Sequence, residues 1–289
     1  MINSLLDCQG AATEASLTPS RLKDLSDIAR ATAELGGSVL MQHYGRLESI
    51  EQKSRSGDLV TNADLAAERS ILEKLTADTP EIPVLAEESG ARGDVTDLCW
   101  CVDPLDGTTN FAHGYPFFAT SVGLTWRGRP VLGAISVPFL NEAFWCCPDT
   151  GAFLNDRRIH VSDCSDLEDS LLVTGFAYDR RERCDNNYSE FCRLTHLTRG
   201  VRRGGAAAVD LAYVAAGRLD GYWERGLSPW DLAAGAALVV MAGGQVSDYR
   251  NPTFTVSSGR ILASGKGLHA PLQRELSAVK PLPEEVYRG

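Results

Sequence analysis

Helical and strand-like apolar periods interleave along this chain, and no Pro- or Ser-rich linker or internal repeat interrupts them. That patterning leaves few folding solutions, because each amphipathic helix needs a sheet to cover; layered α/β or α+β packing follows. Leu22, Leu25, Ile28, Leu35 and Val39, opened by Pro19 and Ser20, predict a long first helix ending near Gly45. A second is expected from about Ala63 to Leu75, capped by Thr61 or Asn62, with Pro80 beyond its end. The period then shortens. Ile82 to Ala86, Leu98 to Val102, Glu142 to Cys146 and Ser170 to Thr174 read as strands, and Phe118 to Trp126 with Val131 to Val137 flank Arg127-Gly128-Arg129 as a hairpin. The last third alternates again: a helix near Ala206 to Ala216, a strand at Leu219 to Trp223, a helix from Asp231 to Ala242 stopped by Gly243-Gly244, strands near Val246 and Ile261, and a helix around Pro271 to Val279. Residues 1–19 are expected to form a loose tail, 20–160 an N-terminal α+β half and 161–289 a C-terminal α/β half.

Composition narrows the function by exclusion. The 289 residues carry 28 Lys and Arg against 38 Asp and Glu, a formal charge of −10, which repels nucleic-acid phosphate and argues against a general DNA- or RNA-coating role. Met1 to Gly10 show neither the basic start nor the long apolar run of a secretory signal. The densest apolar stretch, Leu232 to Ala242, is broken by Gly235 and falls short of the roughly 20 residues that cross a bilayer. A soluble cytoplasmic protein is the expectation. The eight cysteines, with the pairs Cys99/Cys101 and Cys146/Cys147 inside apolar runs, read as reduced, buried small side chains; no Cys-x2-Cys pair or histidine cluster suggests zinc. Gly265-Lys266-Gly267 lacks the spacing and hydroxyl of a Walker loop, and neither Gly-x-Ser-x-Gly nor His-Glu-x-x-His occurs.

Three acidic segments carry the chemistry. In Trp100 to Phe111 an apolar strand ends at Asp103, Pro104 fixes the next φ, and Gly107 permits a conformation that a Cβ would penalise, so Asp103 and Asp106 share one tight turn. Crowded carboxylates relieve their repulsion by protonation or by a bound cation, and oxygen donors without His or Cys favour magnesium or a similar ion. The Leu105 carbonyl is a possible further ligand, and Thr108-Thr109 stand where a short helix with anion-binding N–H groups could begin. The competing reading is an Asx-type turn whose aspartates only cap backbone groups. Glu87-Glu88 follow a predicted strand and could be a merely solvated pair; Asp231, after Ser228-Pro229-Trp230, could be no more than a helix cap.

Together these motifs resemble the inositol monophosphatase family of magnesium-dependent, lithium-inhibited phosphatases, over about Ser20 to Pro271. The resemblance implies an α+β fold, a layered α-β-α-β-α sandwich of the inositol monophosphatase or sugar phosphatase type, usually dimeric. It implies that Glu87, Asp103, the Leu105 carbonyl, Asp106 and Asp231 bind two to three magnesium ions per site. Asp64, from Asp58 to Asp64, would join Thr108 in holding the attacking water, with Glu87 counted beside them as catalytic. Asp106, Gly107, Thr108, Ala207, Glu224 and Asp231 are the implied substrate contacts, Gly107 and Thr108 on the phosphate and Glu224 on substrate hydroxyls. Lys53 to Asp58 suits a lid. Ala206 stands where family members commonly carry Ser or Thr.

The implied reaction is hydrolysis of inositol monophosphate by metal-activated water, in the two-metal manner. Histidinol phosphate, fructose 1,6-bisphosphate and 3′-phosphoadenosine 5′-phosphate are alternative substrates for the same site. Arg199, Arg202, Arg203, Arg180, Arg181 and Arg183 read first as a solvated face, Arg203 being the best candidate to attract an anionic substrate. A reading of another class is a regulatory binding protein that contacts the transcription machinery. Its weakness is that every acidic ligand of the enzyme is present.

Overall fold

Two mixed sheets divide the chain, and helices lie outside and between them. A computed structural model describes residues 7–53, 59–250 and 254–287. The elements run α1 (Cys8–Glu14), α2 (Pro19–His43), β1 (Ile50–Gln52), β2 (Leu59–Thr61), α3 (Asn62–Asp78), β3 (Val84–Ala86), β4 (Gly90–Arg92), β5 (Leu98–Asp106) and α4 (Thr108–Ala112). Then come β6 (Ala119–Trp126), β7 (Arg129–Val137), β8 (Glu142–Cys147), β9 (Gly151–Leu154), β10 (Arg157–Arg158), β11 (Leu171–Thr174), α5 (Tyr188–Leu197) and β12 (Gly200–Arg202). The remainder is α6 (Ala207–Ala215), β13 (Gly221–Arg225), α7 (Pro229–Met241), β14 (Gln245–Ser247), β15 (Arg260–Ser264), α8 (Lys266–Ala278) and the short α9 (Glu284–Tyr287).

The larger of the two main sheets has the order β10-β9-β8-β7-β6-β5-β3-β4 and the smaller β12-β11-β13-β15-β14, while β1 and β2 pair antiparallel as a separate two-stranded sheet. Helices α2 and α3 cover the outer face of the first sheet, α6 and α7 fill the space between the sheets, and α5 and α8 cover the second. This is the α-β-α-β-α sandwich. Helix α7 is apolar all round, with Leu232 to Val239 buried, as a helix enclosed by two sheets must be.

How closely α7 can approach the first sheet is set by two glycines that pair across β6 and β7, Gly123 and Gly133. A Cβ on Gly133 would lie 2.5 Å from Ala234 Cα, and one on Gly123 2.6 Å from Ala234 N. Backbone cannot swing aside as a side-chain tip can, so Gly133→Ala should destabilise the fold by about 1–3 kcal/mol. Urea titration would show this as a lowered midpoint at unchanged slope; an unmoved midpoint would mean that α7 can retreat.

The expected hairpin is present, turning on Arg127 (φ 50°) and Gly128 (φ 72°), with Trp126 paired to Arg129. Several expectations need correction. Part of the loose tail of residues 1–19 is the ordered helix α1, capped by Asp7, whose side chain accepts the Gly10 N–H; its Cys8, Ala11 and Ala12 are buried, because an alanine-rich turn needs only a small groove to dock. Strand β5 continues through Pro104 to Asp106, with its register to β6 broken after Asp103. Helix α8 starts at Lys266 and keeps Pro271 inside it. Of the cysteines, Cys8, Cys99, Cys101, Cys146 and Cys147 are buried and all eight are free thiols, but Cys184 and Cys192 are exposed. The proposed lid keeps only Lys53 within view, since residues 54–58 lie outside the described residues. No helix among the described residues is long and apolar enough to cross a membrane.

Candidate metal centre

The broken end of β5 presents Asp103 and Asp106 toward α7. Gly107 adopts φ +86°, and a Cβ there would crowd the Phe117 carbonyl and Ala206 Cβ at 3.0 and 3.1 Å, so the turn needs glycine on both counts. Asp103 Oδ1 accepts the Leu105 N–H at 3.0 Å. Asp106 takes both N–H groups at the start of α6, Ala207 at 3.1 Å and Ala208 at 2.7 Å. Asp231 occupies the third position of α7 and accepts the Ser228 N–H at 2.7 Å, completing a capping box. Each aspartate therefore does cap backbone, as the competing sequence reading held. The three carboxylates nevertheless converge: one oxygen from each of Asp103, Asp106 and Asp231 lies within 4.8 Å of the others. Capping orients them and leaves one uncapped oxygen on Asp103 and one on Asp231, while Asp106 keeps only the remaining lone pairs of its two capping oxygens.

The convergence is electrostatically costly. Burial, then Glu87, Asp106 and Asp231, push the Asp103 carboxyl well above its usual range. Burial with the Glu87 charge raises Asp106 to about 7 against the pull of the α6 N–H groups, and burial followed by Glu87 and Asp106 raises Asp231 strongly. A cluster of acids held in its own repulsion is a site prepared for positive charge.

Glu87 lies one residue past β3, outside the three-carboxylate convergence but near enough for its charge to weigh on Asp103. It is gripped by Lys53, whose Nζ stands 2.7 Å from Glu87 Oε1 and 2.6 Å from Glu88 Oε1. The Glu88 N–H in turn donates to Glu68 of α3 at 2.9 Å. Asp64 is set by its own capping box: Oδ2 accepts from Thr61 N and Oγ1 at 2.9 and 2.6 Å. Its Oδ1 faces Thr108, whose hydroxyl lies 3.2 Å away and 3.0 Å from the Leu105 carbonyl. Burial raises Asp64 to about 6 in spite of the Thr61 bonds.

Glu224 sits on β13, buried, accepting the Tyr222 hydroxyl at 2.6 Å. Burial, only partly offset by that bond and by Arg203, raises it to about 7. Arg203 feels Glu224 and Asp210, the anions of this end of the site, whereas Arg199 and Arg183 pair with Asp169 and Asp179 at 2.5 and 3.0 Å. Sequence reading missed three members. Lys53 was named only as part of a lid. Tyr222 could have been found from strand alternation, which puts it on the face of Glu224. Asp210, buried in α6 with an Oδ1 that has no hydrogen-bond partner, carried no local signal.

A buried carboxylate cluster at the end of a sheet strand, beside a helix packed between two sheets, defines a candidate site for a hard divalent cation. Residues 21–280 match the model of the inositol monophosphatase family, and the chain belongs to that family. An inositol-1-monophosphatase of Synechocystis sp. is 49% identical over 269 residues, 93% of this chain and 94% of the relative. A structure of inositol monophosphatase from Anabaena (Nostoc) sp. superposes with a TM-score of 0.83 at 49% identity, covering 90% of this chain and 98% of that one. The protein named Nus factor SuhB of Pseudomonas aeruginosa is 39% identical over 274 residues, 92% of this chain and 100% of the relative.

Proposed function

We propose that this protein is a magnesium-dependent phosphomonoesterase that hydrolyses inositol monophosphate to inositol and phosphate. The observation that carries the reading is the convergence of Asp103, Asp106 and Asp231, whose repulsion a divalent cation relieves. The donor set is all oxygen, which suits magnesium better than zinc. Glu87 and the Leu105 carbonyl would complete the ligands of two to three ions once Glu87 leaves Lys53. Magnesium bound there supplies Lewis-acid charge to the ester and to the attacking water.

The chain's own residues do the rest. Thr108 Oγ1 holds the water, and Asp64 behind it, with its raised pKa near neutral, accepts the proton. The N–H groups of Gly107 and Thr108 receive phosphate oxygens. The Ala207 N–H is engaged by Asp106, so Ala207 contributes to the substrate site as wall and as anchor of that aspartate. Glu224, with Asp231, accepts hydrogen bonds from inositol hydroxyls. A lithium-sensitive cytoplasmic homodimer acting on a small phosphorylated metabolite completes the reading, of which the relative named inositol-1-monophosphatase supports the activity. The relative named Nus factor SuhB favours, beside this, a regulatory binding role that can coexist with catalysis.

The test is phosphate release from a panel of monoesters. Inositol 1-phosphate should be turned over faster than histidinol phosphate, fructose 1,6-bisphosphate or 3′-phosphoadenosine 5′-phosphate, with activity lost to EDTA and restored by magnesium. A preference for another ester changes the substrate, and no turnover of any ester sinks the enzymatic reading.

A further inference from the structure

The polyol end of the site is walled by bare backbone. A Cβ on Gly175 would overlap the Glu224 carboxylate, falling onto Cδ, Oε1 and Oε2 together. Gly175 has no need of a left-handed φ, so its lack of a side chain serves the space in front of Glu224 and not the turn. The wall is held by one buried residue, Asn187, only 1% exposed. Its Nδ2 donates to the Gly175 carbonyl at 2.7 Å and to Thr174 Oγ1 at 2.8 Å. Its Oδ1 accepts Trp223 Nε1 at 2.7 Å, and Trp223 directly precedes Glu224 on β13. Thr174 Oγ1 donates onward to the Trp223 carbonyl. Asn187 itself sits at φ 71°, a conformation that Asn tolerates better than most side chains. On the far side, Arg225 binds Asp179 through both guanidinium ends, at 2.6 and 2.9 Å, clamping the same segment to the strand that carries Glu224.

We propose that Gly175, pinned by Asn187, is a specificity-determining position: the pair fixes the Glu224 carboxylate where a substrate's hydroxyls must reach it. Asn187 is a positioning residue that acts through Gly175 and Trp223. The inference rests on Glu224 as the hydroxyl acceptor of the preceding reading. It goes further in naming what decides whether a polyol phosphate is preferred over a phosphate ester without hydroxyls.

The experiment compares kcat/KM for inositol 1-phosphate with that for para-nitrophenyl phosphate, an aryl phosphate monoester whose leaving group carries no hydroxyls, in Gly175→Ala, Asn187→Asp and Glu224→Gln, each ratio being taken relative to the unsubstituted protein. In Gly175→Ala the new methyl displaces the tip of a flexible side chain, and the inositol-to-aryl ratio should fall about tenfold, mostly through KM. Asn187→Asp sets a carboxylate against the Gly175 carbonyl and should move the ratio the same way; it decides the matter if Gly175→Ala folds poorly. A ratio held within about twofold in both variants, while Glu224→Gln lowers it, overturns the inference and leaves the proposed function standing. A ratio unmoved by Glu224→Gln overturns the role of Glu224, and the inference with it.

Discussion

Asp103→Asn should lower kcat for inositol 1-phosphate by about three orders of magnitude or more, while raising the melting temperature of the metal-free protein. The two effects have one origin. Asparagine matches aspartate in shape, and its Oδ1 can still accept the Leu105 N–H that shapes the turn. What it removes is a negative charge that burial and three neighbouring carboxylates disfavour. Without a cation that charge is a liability, so its loss stabilises; with a cation it is the attraction that holds the ion. Phosphate release and thermal melts of the same preparation check both halves. Near-normal turnover would place the chemistry elsewhere, and a lowered melting temperature would show that the carboxylate is needed for folding.

Stripping divalent cations should cost the protein far more stability at pH 8 than at pH 5.5. Asp64 is raised to about 6, and Asp106 and Glu224 to about 7, chiefly by burial. A carboxyl whose pKa is higher folded than unfolded favours the folded state fully below its unfolded pKa, near 4, and loses that contribution as pH rises through the folded value. The metal-free protein therefore weakens between about pH 4 and 7, and its melting temperature should fall across that window. Bound magnesium compensates the ionised carboxylates and should flatten the profile. Thermal melts across pH, with EDTA and with magnesium, distinguish this from a flat metal-free curve, which would mean that the acids are already paired.

What was legible in the sequence was local. Pro104 and Gly107 punctuate the chain so sharply that the close approach of Asp103 and Asp106 needs no tertiary information, although the segment is the bulged end of β5 and not the expected turn, and Ser228-Pro229 marks the start of α7 just before Asp231. The alternation of periods was enough for the layers. What could not be read depends on partners far away in the chain. The docking of α1 depends on a groove for Cys8 and Ala11, and the burial of Asp210 on its place under the Gly204 backbone. The Lys53 grip on Glu87 joins residues 34 positions apart. Helix α5 went unread because it begins at a left-handed Asn187 with no side-chain cap, where a start signal is usually sought.

The aspartates of the cluster hang from the larger sheet and from the helix packed upon it, whereas Gly175 and Glu224 belong to the smaller sheet. On the function proposed above, the cation site thus rests on one support and most of the contact with the leaving alcohol on the other, with Asp231 common to both. On that reading, substitutions in the smaller sheet should change which alcohol is released before they disturb the cation site on the larger one.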